Sequence, residues 1–146
     1  MTDFTGTDPV AWAKRQKRAI NVLPARLVEA FANAMATRVG VGGFTPVDTG
    51  NLSRSVTISA SPIMRDGPGY NSPVRQDYRA ASSVAKGDGS AYVSYKAIYA
   101  HRVNYGFVGT DVLGRSYNQS GRGFNEANIA RFPAILAGVV SKLRFE

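Results

Sequence analysis

Three features of the sequence predict an α+β fold: a front third with helical period, a middle with short stretches of strand character, and an apolar tail that turns helical again. Residues 8–40 and 124–146 carry apolar side chains at spacings of three and four, residues 53–60 alternate with a period of two, and residues 92–96 resume strand character. The predicted architecture is a kinked N-terminal amphipathic helix, or a helix pair, and a C-terminal helix, packed on a small antiparallel β-sheet with long loops. At 146 residues the chain suits one domain with a modest core. A hydrophobic share of 44% against a charged share of 19% argues against general disorder.

Residues 1–7 are polar and expected to be loose. Asp8 followed by Pro9 supplies an N-cap and a proline at the first helical position. Over residues 10–23, Trp12, Ala13, Ala19, Ile20 and Leu23 fall on one arc, and Lys14, Arg15, Lys17 and Arg18 form a basic face opposite. The apolar arc needs a partner surface, while its few large residues disfavour a helix lying on a membrane. Pro24 interrupts the run, and Leu27, Val28, Phe31, Ala34, Met35 and Val39 continue the helical spacing toward Gly40, the expected C-cap. The Gly-Val-Gly-Gly run at 40–43 has no preceding strand and no following Lys-Ser/Thr, so it is not read as a phosphate loop.

The stretch TPVDTGNL at residues 45–52 stops one element and aims the next. Pro46 pushes Thr45 toward an extended conformation, and Asp48 or Thr49 can cap a short turn that begins at Gly50 and includes Leu52. In the strand at 53–60, Val56, Ile58 and Ala60 lie on the mostly apolar side, and residues 92–96 are the expected antiparallel partner. Residues 61–90 hold three prolines and four glycines, more chain than a hairpin needs. They read as an arm that settles on a neighbouring subunit, with Arg75, Asp77, Tyr78 and Arg79 as contact points. Residues 97–107 read as a strand end running into a helical turn.

Residues 107–123 form a glycine-rich loop in which Arg115, Tyr117, Asn118, Gln119 and Arg122 offer hydrogen bonds to another chain or to phosphates. In the tail, Ile129, Phe132, Leu136, Val139, Val140 and Leu143 share a helical face. Asn125 is the expected N-cap, Glu126 suits the positive end of the helix, and Lys142 and Arg144 suit the other. Pro133 predicts a kink or restart, and the tail is expected to pack on the sheet or on the N-terminal helices.

No catalytic, cofactor or metal constellation is read from the residues. With no cysteine and the single histidine His101, thiolate sites and multi-histidine metal sites are excluded. The ten carboxylates show no close pair at helical spacing. No apolar run reaches the roughly 18 residues of a membrane span, and the start lacks a signal-peptide pattern, so a soluble protein is expected. The net charge of +8 points to polyanionic surroundings, whether nucleic acid, anionic lipid or an acidic protein face.

A family resemblance joins these pieces. The TPVDTG-x-L block with Pro46, Asp48, Thr49, Gly50 and Leu52, then Tyr99-Ala100, Val103-Asn104-Tyr105-Gly106, a glycine-rich loop, and Gly123-Phe124 opening a helix, stand in this order. The chain resembles the tail-completion, or neck, proteins of long-tailed bacteriophages over residues 45–58 and 91–135. The resemblance implies a non-enzymatic virion protein, made in the host bacterial cytoplasm, that forms a homo-oligomeric ring joining the head connector to the tail tube. It further implies six-fold or twelve-fold symmetry, contacts with head connector or stopper and tail terminator or tube proteins, and channel DNA nearby. Asn104 departs from the pattern by standing where an acidic residue is common, and Asn104 and Tyr105 join the expected interface. The alternative is a basic DNA-binding or packaging accessory protein, motivated by the charge and the cluster at residues 14–18.

Overall fold

The computed structural model describes residues 8–47, 50–62, 75–85, 90–97, 99–110 and 112–143. Residues 1–7, Asp48, Thr49, Arg144 and much of the 61–90 segment lie outside the described residues, and with them the expected capping by Asp48 or Thr49. The chain is α+β, with one long helix, several short ones and two separate two-stranded antiparallel sheets.

One helix, α1, runs over Pro9–Ala36. Asp8 caps it by accepting a hydrogen bond from the Val10 N–H at 3.0 Å, and Pro9 sits where no N–H is needed. Pro24 lies inside α1 and does not divide it. The helix ends at Ala36, earlier than the expected Gly40 cap, because its last carbonyls find other partners. The Thr37 hydroxyl donates to the Asn33 carbonyl at 2.7 Å, and the Met35 carbonyl accepts from Tyr95 at 2.9 Å. The chain then doubles back so that Arg38 bridges Thr45. Gly43 passes so close to Thr37 that a Cβ would stand 1.9 Å from the Thr37 carbonyl oxygen. The glycine run is thus a turn that hugs the end of α1.

The strand expected from residue 53 begins later. Asn51–Arg54 forms a helical turn, α2, and strand β1 is Val56–Ser59. The Ser53 and Ser55 hydroxyls donate back to the Gly50 and Leu52 carbonyls at 3.0 and 2.7 Å, which favours a turn over an extended chain. The alternation nevertheless survives, since Val56 and Ile58 are buried. β1 pairs antiparallel with β2, Tyr92–Tyr95, setting Val56 opposite Tyr95 and Ile58 opposite Val93.

The first core forms where this sheet meets the C-terminal half of α1. Ala32, Met35 and Ala36 pack with Val56, Ile58 and Tyr78. Tyr78 corrects its reading as an arm contact: it opens the short helix α3, Tyr78–Ala81, is 4% exposed, and donates from its hydroxyl to the Val56 carbonyl at 3.0 Å. Asp77 caps α3 by accepting from the Arg79 and Ala80 N–H groups, and Arg75 reaches Asn33 Oδ1 at 3.2 Å. Gln76 bonds both the N–H and the carbonyl of Ile58, extending the β1 edge. Among these residues Asp77, Arg75 and Tyr78 make contacts within the chain, and Arg79 is exposed.

Helix α4 spans Ala100–Tyr105 and ends at Gly106. The expected glycine-rich loop at 107–123 is largely a hairpin of β3, Gly106–Thr110, and β4, Ser116–Ser120, with Gly109 opposite Tyr117. Phe107 and Tyr117 lie 6.0 Å apart between ring centres, and the Arg102 guanidinium stands 4.1 Å over Phe107. Helix α5, Phe124–Ala130, takes Gly123 at its cap position rather than Asn125. As Pro133 predicted, the helix restarts as α6, Phe132–Lys142. Phe132 meets Phe31 edge-on at 5.7 Å, seating α6 on α1.

Candidate functional site

The separated motif blocks meet in space. Leu52, Ala97, Ala100 and Phe124 form a second buried cluster, with Tyr95 and Val103 against it. Beside this cluster lies an open cavity of about 570 Å³. Its walls are Pro46, Gly50 and Leu52 from the first block, Tyr99 and Val103 from the second, and Gln119 and Arg122 at the root of the hairpin. The described lining holds one cation, Arg122, among apolar and hydrogen-bonding groups.

Asn104 is the joint of this region. It is 5% exposed, its Oδ1 accepts from the Asn125 N–H at 2.8 Å, and its Nδ2 donates to both oxygens of Glu126 at 2.8 and 3.1 Å. Gly123 leaves α5 without a side-chain cap of its own, so Asn104 supplies one from another helix, with Glu126 answering as in a capping box. In return, the Arg122 and Gly123 N–H groups donate to the Val103 and Asn104 carbonyls at 2.9 and 3.0 Å, closing the end of α4. Gly106, at φ +86°, lets the hairpin leave at once, and a Cβ there would stand 2.5 Å from the Gln119 carbonyl oxygen. A hydrogen bond from Tyr105, and then the Asn104 bonds, hold the Glu126 carboxyl below its ordinary value, and the same Glu126 bond raises the Tyr105 hydroxyl.

A polar knot ties this region to α1. Tyr95 donates to the Met35 carbonyl, Thr45 Oγ1 lies 2.8 Å from the Tyr95 hydroxyl, and Asn128 Nδ2 donates to that hydroxyl at 3.1 Å. Burial pushes the Tyr95 hydroxyl up to about 12, against the lowering effect of its Thr45 and Asn128 bonds. Because this value lies above that of an unfolded tyrosine, the knot's contribution is complete below about pH 10 and is lost as the pH climbs toward 12, by up to about 1.4 kcal/mol per pH unit. Denaturant unfolding at stepped alkaline pH is expected to show that decline, and Tyr95→Phe to flatten it. An equally steep decline in the variant would contradict the assignment.

The remaining sequence-predicted residues are scattered. Arg115, Asn118 and Gln119 are exposed on the hairpin, Tyr117 is half-buried, and Tyr105 is 60% exposed. Lys14, Lys17 and Arg18 are exposed and Arg15 is half-buried. Val108, Val112 and Leu113, apolar residues of the hairpin, are 78%, 101% and 73% exposed, and the sequence pattern does not single them out. Their one signal in the sequence is an apolar side chain among glycines and polar groups.

No protein-family model, curated protein or solved structure matches the chain. Among the described residues, no group of three or more histidine, cysteine or carboxylate side chains could hold a metal, and no helix is long and apolar enough to cross a membrane. His101 is exposed and lies 4.7 Å from the Tyr105 ring.

Proposed function

We propose that the chain is a structural protein of a phage neck, which closes into a ring joining the head connector to the tail tube. Support comes from the resemblance and from one structural observation above all: the hairpin carries an exposed apolar tip, and an open cavity lies at its root. Val112 and Leu113, adjacent at the turn of the hairpin, and Val108 on β3 face solvent over most of their surface in a single chain, which suits a contact surface. Tip and cavity are different patches of one molecule, so a tip seated in the next copy's cavity is a heterologous contact, which makes rings when the rotation closes. Asn104, expected at the interface, is instead buried and bonded within the chain, which leaves inter-subunit contact to the hairpin.

The double substitution Val112→Asp, Leu113→Asp tests the proposal. Both side chains are solvent-facing, so melting is expected to be unchanged while self-association, read by light scattering, is lost. In the encoding phage, the variant is expected to leave filled heads and tails unjoined. Unaltered association together with normal particles would overturn the reading and favour the DNA-binding or packaging accessory that the +8 charge suggests.

A further inference from the structure

A second groove, between α1 and the end of α6, gathers cations from two helices. Arg15, Arg18 and Arg26 of α1 and Lys142 at the end of α6 line a cleft of about 450 Å³ over a floor of Ala19, Val22 and Leu143, with no carboxylate in its described lining. Arg15 Nε is buried there without a hydrogen-bond partner. A buried guanidinium N–H without an acceptor is costly, and a row of like charges raises the cost further. Both are relieved by an anion that brings oxygen acceptors into the cleft.

We propose that this groove binds the phosphodiester backbone of nucleic acid. The three arginines follow one face of α1, and from position 15 to position 26 the helix rises about 16 Å. A line of that length matches a row of phosphates rather than a single ion, since phosphates of one DNA strand recur about every 3.4 Å along the duplex axis. Guanidinium groups present planar paired donors to phosphate oxygens, and the shallow floor lacks the deep apolar anchor pocket that a protein partner's hot spot would use. The groove also separates the basic cluster by role. Arg15 and Arg18 line it, whereas Lys14 and Lys17 do not. In the ring reading, which this inference deepens, the groove is where each subunit would hold channel DNA. The binding itself is a property of the isolated chain, so the two proposals fail separately.

The test is fluorescence anisotropy of a short duplex DNA across a salt series, using the full chain and charge-matched double variants. With four cations engaged, the logarithm of affinity is expected to fall with log salt at a slope of about −3.6, and Arg15→Gln with Arg26→Gln to bring it to about −1.8 and weaken binding tenfold or more at low salt. Lys14→Gln with Lys17→Gln removes the same charge outside the groove and is expected to change affinity less than about threefold. Should the Arg15 variant melt early, Arg18→Gln with Arg26→Gln carries the same expectation. Equal weakening by the two kinds of variant, no binding of duplex at low salt, or displacement of DNA by an equal charge of polyglutamate would each overturn the assignment.

Discussion

Phe124→Ala is expected to lower the unfolding free energy by about 3–5 kcal/mol, the largest loss of any single substitution in this region. Phe124 is 1% exposed, stands edge-on to Tyr95 at 5.0 Å, and fills the space between Leu52, Ala97 and Ala100. Alanine would leave a cavity that fixed neighbours cannot close: Tyr95 is held by its hydroxyl, and α5 by the Asn104 cap. Against the roughly 5–15 kcal/mol usual for a domain, such a loss approaches unfolding. Equilibrium denaturation measures it directly. Phe124→Leu keeps most of the volume and is expected to cost about 1.5 kcal/mol or less. Similar losses for both variants would mean that the cluster is not packed around this ring.

Asn104→Asp is expected to destabilise more than Asn104→Ala at neutral pH, although aspartate is the closer isostere. Alanine forfeits the α5 cap and the bonds to Glu126, for about 1–3 kcal/mol at a buried polar site. Aspartate keeps an oxygen for the Asn125 N–H but turns a second carboxylate toward Glu126. The pH dependence separates the two effects. In the native chain Glu126 titrates below its ordinary value, so its contribution is present above that value and is lost as pH falls through the lowered one. The Asn104→Asp variant should show the opposite trend, gaining relative stability in acid as one carboxyl protonates and becomes a donor. Adding Glu126→Gln should restore much of the loss at neutral pH. A loss that is independent of pH and unrelieved by Glu126→Gln would contradict the capping role.

The parts of this fold legible in the sequence are those fixed by local chemistry. Asp8 and Pro9 announce the start of α1, the alternation at 56 and 58 sets the buried face of β1, and Pro133 marks the restart of α6. What stayed hidden depends on partners distant in the chain. Thr45, Asn104 and Asn128 are polar residues that patterning sends to the surface, yet each is buried because it satisfies backbone or side-chain groups of another element. Tyr78 gives no sign of burial in the sequence because its partner, the Val56 carbonyl, lies 22 positions away. The hairpin is hidden because Gly106 and Gly109 dilute the strand signal of β3, while the ring contact of Phe107 with Tyr117 only emerges across the turn. The apolar arc of α1 was legible but met little cover over its first turns, where Trp12 and Ile20 remain 49% and 59% exposed.

The most direct test of ring closure through the hairpin is the mass of the wild-type chain by light scattering at rising concentration, with negative-stain imaging of whatever forms. The proposal predicts a closed oligomer of one size, seen as rings with a central opening, and its absence in the Val112→Asp, Leu113→Asp chain. A chain that stays monomeric throughout, or one that forms open filaments of unlimited length, would contradict it.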